Sequence, residues 1–528
     1  MTNSIEEFDN AQVILITGTN TTEMHPVIGS AMKRAVQNNG TKLIVVDPRE
    51  IDLVAHSAIW LRQKPGSDVA WLNGMMNVII SEDLYDKQYV AERTEGFEEL
   101  KKVVAGYTPE RVEEISGIPK NDLIAAARLY ASAPAASIAY AMGITQHING
   151  TDAVKSVANL AMLCGNLGKE YGGVNPLRGQ NNVQGACDMG GLPNVFSGYQ
   201  PVASAEAREK MAKAWGVPSL PANVGLTIVE VINAAEHGKV KSLYVMGENP
   251  MLSDPDLHHV EKGLKSLDFL VVQDIFLTET AALADVVLPS TCFAEDDGTF
   301  SNTDRRVQRV RKAVDPPGEA KPDWEILCRI ASKMGYEMHY PNAEAVFDEM
   351  ARVTPSYAGM DYVRLEKGGL QWPCPTKDHP GTKFLHKDKF VRGKGLFHAI
   401  EWIPPAEPPD AEYPFLLMTG RVLYQYHTGT MTRRSVGLTE RYPECIIEIN
   451  NADAKNLGLN EGDAVQVASR RGEMTAKVKV GERTSKGMIF IPFHFHEAAA
   501  NVLTIAALDP VAKIPEYKVC AVKLKKVA

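Results

Sequence analysis

Five short apolar runs, most of them closed by a glycine or a polar side chain, constrain the fold of this chain more than any other feature. Residues 11–18 (Ala-Gln-Val-Ile-Leu-Ile-Thr-Gly) and 43–47 (Leu-Ile-Val-Val-Asp) flank a helical pattern over 26–39 that ends at Gly40. In that pattern Val27, Ile28, Ala31, Met32, Ala35 and Val36 share one face. Near-continuous apolar runs suit parallel strands, which helices cover on both sides. Helices are expected over 68–80 and 120–131, then a strand over 136–143 and a helix capped by Thr151 and running to Asn166. The strand rhythm restarts at 243–247, 269–273 and 285–289. Beyond a proline-crowded stretch at 403–414 the pattern changes to short alternating strands at 465–469, 476–480 and 488–492, separated by Arg471-Gly472 and Lys486-Gly487 turns. The prediction is an α/β protein with two doubly wound αβα units built on parallel sheets, followed by a carboxyl-terminal β-barrel-like domain. The expected domains are 1–177, 178–402 and 412–528, with a linker at 403–411. A ribbon near 293–320 carries Arg305, Arg306, Arg309 and Arg311, and by charge it reads as solvated.

The carboxyl ends of parallel strands are where such folds bind ligands. Here they carry Gly18 and Asn20, Asp47, Gly247-Glu248-Asn249 and Gln273-Asp274. Asp47 stands where an acidic residue would meet a ribose, yet Gly18-Thr19-Asn20-Thr21-Thr22 lacks the second and third glycines of the usual dinucleotide fingerprint. An ordinary βα turn with a capping aspartate is the alternative. The densest polar stretch is 178–190, Arg178-Gly179-Gln180-Asn181-Asn182-Val183-Gln184-Gly185-Ala186-Cys187-Asp188-Met189-Gly190. Its amides offer donors and acceptors, its glycines permit close backbone approach, and Arg178 offers a fork that fits a carboxylate. No helical or strand periodicity is visible there, so it reads as a binding loop, against the plainer alternative of a surface loop. Similar polar loops recur at 419–430, with Arg421, His427 and Thr428, and at 493–501, ending in Asn501. Taken singly, His427 and His494 are as readily satisfied loop histidines as ligands.

No protein nucleophile or metal site is expected. The histidines form only two close pairs, His258-His259 and His494-x-His496, the second read as sharing a strand face. The seven cysteines are scattered, which excludes a local CxxC-type cluster and fits a reducing, cytoplasmic compartment better than a disulfide framework. A net charge of −9 argues against a nucleic-acid partner, and no apolar run reaches the roughly 20 residues of a membrane span.

With these loops in hand, the chain resembles the large subunit of molybdenum- or tungsten-dependent formate dehydrogenases, in the bis-molybdopterin guanine dinucleotide oxidoreductase superfamily. The resemblance rests on 178–190 together with Asp47-Pro48-Arg49, Pro65-Gly66-Ser67-Asp68, Gly143-Ile144-Thr145-Gln146 and Gly247-Glu248-Asn249-Pro250. It continues through Gln273-Asp274, Thr419-Gly420-Arg421 and Glu516-Tyr517-Lys518. It implies that Gly18, Asn20, Asp47, Arg49, Gly66, Asp68, Gly143, Gln146, Gly247, Glu248, Asn249, Gln273 and Asp274 hold two guanine dinucleotides. Arg421, His427, Thr428, Asn501 and Lys518 would close over the pterins. Arg178 would hold formate, with Gln180 beside it, and carbon dioxide would leave. Family members begin with a cysteine-ligated iron–sulfur domain, then supply a Cys or selenocysteine metal ligand and a histidine, and none of these matches this chain. The resemblance therefore implies the downstream part of a longer polypeptide, inactive alone, with iron–sulfur or NAD-linked electron-transfer subunits as partners. Another superfamily member acting on an oxyanion or an N- or S-oxide, or a non-catalytic pterin-binding subunit, are the alternatives.

Overall fold

The computed structural model describes residues 1–527. The chain divides into two compact units, Met1–Gly179 with Leu252–His258 and Phe384–Ala528, and Gln180–Met251 with His259–Lys383. In the first unit, β1 (Val13–Thr17) is buried along its whole length. Helix α1 (Pro26–Asn39) starts on a proline, whose missing N–H is not needed there, and stops at left-handed Gly40. Strands β2 (Lys42–Val46) and β3 (Ile59–Leu61) follow, then α2 (Asp68–Ser81), α3 (Lys120–Ala131), β4 (Ala136–Tyr140), α4 (Gly150–Leu163) and β5 (Val174–Pro176). The sheet is parallel in the order β3-β2-β1-β4-β5. Its order reverses at β1, so the ends of β1 and β4 flank a topological switch point.

Two expectations change here. The strand predicted to reach Gly143 stops at Tyr140, and Met142–Thr145 is a helical turn. The cause is a backbone bond from Gly143 N to Gly18 O, 2.9 Å, which draws the chain across the end of β1. Thr151 is not a cap either. It lies inside the first turn of α4, with its N–H and hydroxyl donating to Asp509 at 2.9 and 2.8 Å, and the helix ends at Leu163 rather than Asn166.

In the second unit the polar stretch after Arg178 is not all loop: α5 (Val183–Asp188) forms within it. Strands β6 (Ser242–Met246), β7 (Phe269–Asp274) and β8 (Val286–Pro289) make a parallel sheet with β7 central. The arginine-rich ribbon is an antiparallel hairpin of β9 (Gly298–Ser301) and β10 (Arg306–Val310), and it is not simply solvated. Arg305 is 1% exposed and donates to the carbonyls of Trp372, Thr382 and Lys383. Arg309 stacks 3.3 Å above the Tyr362 ring and donates to Asp297 and Glu366.

The chain then returns to the first unit as a closed barrel. Its strands are β11 (Phe415–Gly420), β12 (Ile446–Asn450), β13 (Ala464–Ala468), β14 (Glu473–Gly481), β15 (Met488–Pro492) and β16 (Cys520–Lys526). Closure leaves no open edge, and the alternating inward residues fill the interior. The proline-rich segment before β11 is fastened to the barrel. Buried Glu407 accepts from Arg471 at 2.6 and 3.0 Å and from Ala521 N at 3.2 Å.

Candidate functional site

The switch point of the first sheet is built by two glycines that need each other. Gly18 has φ +58°, and a Cβ there would sit 2.7 Å from Ile144. A Cβ on Gly143 would lie 2.4 Å from the Gly18 Cα. Around this contact the side-chain oxygens of Thr17, Thr19, Thr21 and Thr22, and both amide atoms of Asn20, are buried without a hydrogen-bond partner among the described residues. His25 joins them. Its Nε2 meets the Arg178 carbonyl at 2.7 Å, so that nitrogen donates, and buried Nδ1 is left as an unpaired acceptor. Each unsatisfied buried polar group costs about 1–3 kcal/mol. A run of them at one strand end therefore marks a place for a polar ligand.

Charges beside this strand end point the same way. Asp47 is buried, and that burial pushes its carboxyl up to about 6 despite a bond from Arg49 N at 2.9 Å. Lys518 is partly buried, with Nζ donating to Thr419 O at 2.7 Å. Burial first, then the Arg421 and Arg49 charges, pull the lysine down to about 7, against the opposing pull of Asp47. Arg421 donates to the Gly179 carbonyl at 2.8 Å and comes so close that a Cβ on Gly179 would meet its guanidinium at 2.8 Å. Burial and Arg421 also hold His427 down to about 4. Arg49, Arg421 and Lys518 thus bring positive charge close together beside this strand end, an arrangement that favours an anionic ligand.

The remaining candidates fall into three groups. Asp68 and Gly66 lie on the α2 entry, where Asp68 is buried with its carboxyl pushed up and Trp71 Nε1 donates to it at 3.2 Å. His147, which the sequence reading did not single out, stands 3.9 Å from Asp68 and 3.6 Å from Glu516. Its Nε2 contacts Gly143 O at 3.0 Å, so three of the polar loops meet on one imidazole. Gln146 follows on the same turn, partly buried. In the barrel loops, Thr428 bonds Thr430 at 2.9 Å. Asn501 stands apart, its amide donating to the Leu252 and Ser253 carbonyls at 2.9 and 3.0 Å.

His494 and His496 do not share a strand face. His494 is buried just beyond β15, accepting from Val422 N at 3.0 Å and donating to the His427 carbonyl, whereas His496 opens a 3-10 turn. His494 thereby locks His427 at φ +47°.

In the second unit, Gln180 is partly buried, Gly247 has φ +63° with open space above it, and Glu248 is exposed. Asn249 Nδ2 donates to Glu279 at 2.8 Å, and its oxygen accepts from the Thr280 hydroxyl at 2.7 Å. Gln273 bonds Tyr244 and Asp323, and Asp274 accepts from Ile275 N at 2.6 Å. The Thr17, Thr19, Thr21 and Thr22 hydroxyls, His25 and His147 are what the sequence reading missed. Its one available signal was the string of hydroxyl residues after Gly18.

Comparison with known proteins decides the family. The Molybdopterin oxidoreductase profile matches residues 1–333, and the Molydopterin dinucleotide binding domain profile matches 415–521. The chain belongs to the molybdopterin oxidoreductase family. Among its relatives, the F420-dependent formate dehydrogenase subunit alpha of Methanocaldococcus jannaschii is 55% identical over 100% of this chain and 78% of its own length. Formate dehydrogenase H of Escherichia coli is 44% identical over 100% of this chain and 74% of its own. Among solved structures, acetylene hydratase from Pelobacter acetylenicus shares the fold, with a TM-score of 0.76 at 23% identity, covering 98% of this chain and 78% of that one.

This molybdopterin oxidoreductase carries residues that fit its family's cofactor. A pterin with a phosphate-linked nucleotide offers hydrogen-bonding edges to the unpaired hydroxyls and amides at the end of β1. Its negative charge would suit Lys518 and Arg421. Among the described residues there is no cluster of three or more His, Cys, Asp or Glu side chains able to hold a metal ion. Among them, too, no helix is long and apolar enough to cross a membrane.

Proposed function

We propose that the chain is the major part of a formate dehydrogenase catalytic subunit, taking formate to carbon dioxide, one proton and two electrons. The observation that carries this reading is identity of 55% and 44% across the whole chain to two proteins named as formate dehydrogenases. The cofactor is a bis-molybdopterin guanine dinucleotide with molybdenum or tungsten, and it supplies two-electron redox chemistry. Its dinucleotides are held by Gly18, Asn20, Asp47, Arg49, Gly66, Asp68, Gly143 and Gln146 in the first unit and by Gly247, Glu248, Asn249, Gln273 and Asp274 in the second. Arg421, His427, Thr428, Asn501 and Lys518 hold it from the barrel.

Arg178 binds the formate carboxylate through its fork, neutralises it and aims the C–H bond, while Gln180 supports the arginine. Positioning and charge compensation in a water-poor site are the protein's share. Tyr140 is buried, and that burial pushes its hydroxyl up to about 12 against the lowering pull of Arg178. Electrons pass to a partner subunit. The name of the M. jannaschii relative favours an F420-linked acceptor over an NAD-linked one. The scattered free cysteines support a cytoplasmic setting, with any iron–sulfur cluster held outside residues 1–528. The test is formate-dependent dye reduction by the metal- and pterin-loaded enzyme with its companion subunits. Loaded enzyme that leaves formate unconsumed overturns the reading.

A further inference from the structure

Helix α5 ends on a carboxylate held by four donors. Asp188 is 1% exposed. Its Oδ1 accepts from Gln184 Nε2 at 2.7 Å and Tyr199 Oη at 2.8 Å, and its Oδ2 from Tyr357 Oη and Trp372 Nε1, both at 2.7 Å. The glutamine NH2 and the indole N–H can only donate, so each oxygen faces an obligatory donor. All four partners are neutral. Burying a carboxylate is costly even when donors replace its water, and a six-residue helix could be packed more cheaply by apolar side chains. A network this complete specifies one arrangement.

The other end of the helix is tied to the same network. Asn182 sits at φ +56°, and its side-chain oxygen accepts from Ser301 N at 2.9 Å. A Cβ on Gly185 would fall 2.2 Å from that oxygen, which explains the glycine. The Ser301 hydroxyl lies 2.8 Å from Tyr357 Oη, and Tyr357 returns to Asp188. Asn182, Ser301, Tyr357 and Asp188 therefore close a ring that pins both ends of α5.

We infer that Asp188 is a positioning residue for formate: through Tyr357 and Ser301 it fixes residues 180–189, and with them Gln180, the residue that supports the formate-binding arginine. This rests on the formate reading above. Asp188 touches neither substrate nor cofactor in this role. It limits where the loop that carries the substrate groups can go.

The test compares Asp188→Asn and the milder Tyr357→Phe with wild type, each as the cofactor-loaded enzyme with its companion subunits. Asparagine keeps the shape but turns an NH2 toward donors, and the Trp372 N–H cannot reverse to accept. Amides of 180–189 should exchange faster with solvent in both variants. The KM for formate should rise about 10- to 100-fold, the scale of loss for a misplaced positioning contact. The rise in KM should exceed the fall in kcat, and the acceptor KM should stay unchanged. Faster exchange with an unaltered formate KM means the ring is structural only and overturns the inference, as does unchanged exchange. If Asp188→Asn does not fold, Tyr357→Phe decides alone by the same readouts. A wild-type enzyme that ignores formate sinks the formate reading instead, and the positioning role for formate falls with it, whatever the exchange shows.

Discussion

The Arg49 guanidinium grips the Glu448 carboxylate with three hydrogen bonds of 2.9–3.1 Å while lying 3.5 Å from the centre of the Phe490 ring. Arg49 follows β2 and Glu448 sits on β12, so the pair ties the parallel sheet to the barrel within one unit. Arg483 adds a second cation to Glu448, 3.0 Å away, and also reaches Glu23. Removing one member of a buried pair strands the other charge, at a cost of about 3–5 kcal/mol. Glu448→Gln is therefore expected to lower the unfolding free energy by that order, read as a lower urea midpoint. An unchanged midpoint would show that Arg49 finds another partner.

Gly143→Ala should be worse than Gly40→Ala, although only Gly40 has a positive φ. At Gly40 a Cβ meets nothing within 4 Å, so the cost is the left-handed backbone alone, about 1–2 kcal/mol. At Gly143 the new atom would press on the Gly18 backbone at 2.4 Å, where neither chain can yield without opening the β1–β4 ends. Overpacking of this kind costs about 1–3 kcal/mol and occasionally more. Thermal unfolding of the two variants, with pterin content measured alongside, gives the comparison. Equal midpoints would mean that the glycine pair is less tightly set than its geometry indicates.

The parallel strands were legible because burial on both faces forces apolar runs, and the runs at 13–17 and 42–46 carry little else. The barrel was legible from alternation and turn glycines. What the sequence hid was decided by distant partners. The Gly143 region reads as a strand by composition, and only the bond to Gly18 turns it into a helical turn. Thr151 looks like a cap, and only Asp509, far along the chain, shows why it is not. Arg305 reads as solvated because its three carbonyl partners leave no signature in sequence. Within the candidate site, Arg421 and Lys518 were visible as motif residues. The depression of Lys518 by burial and by the Arg421 and Arg49 charges was not, since it depends on residues far apart in the chain.

Lys518 gives the cofactor-free chain a stability that depends on pH. Its folded value of about 7 lies below the ordinary lysine value of 10.5, so between these the unfolded chain binds the extra proton. Stability then rises with pH across that window, and the penalty is present in full below about 7. Cofactor-free protein should accordingly melt higher as pH increases from 7 toward 10, and Lys518→Met should flatten that slope. An anion bound beside the ammonium raises its proton affinity again, so the slope should shrink when pterin is present. Thermal scans of both proteins in several buffers test this. Parallel curves for wild type and Lys518→Met would show that the lysine keeps its proton when buried.

Arg178→Ala separates substrate binding from cofactor binding because the backbone around it is fastened independently. The Arg178 carbonyl accepts from His25, and the Gly179 carbonyl accepts from Arg421. Truncating the guanidinium leaves both bonds in place, so the loop entry and the pterin content should be retained. What is lost is the fork for the formate carboxylate and its compensating charge. The kcat/KM for formate should fall at least about 100-fold. Arg178→Lys should recover little, because a point charge on a flexible stem does not reproduce two parallel bonds to a planar carboxylate. Loaded Arg178→Ala enzyme that keeps wild-type formate turnover would remove the arginine from this role and leave it as a neighbour of Tyr140. A loss of pterin in step with activity would place Arg178 in cofactor retention instead.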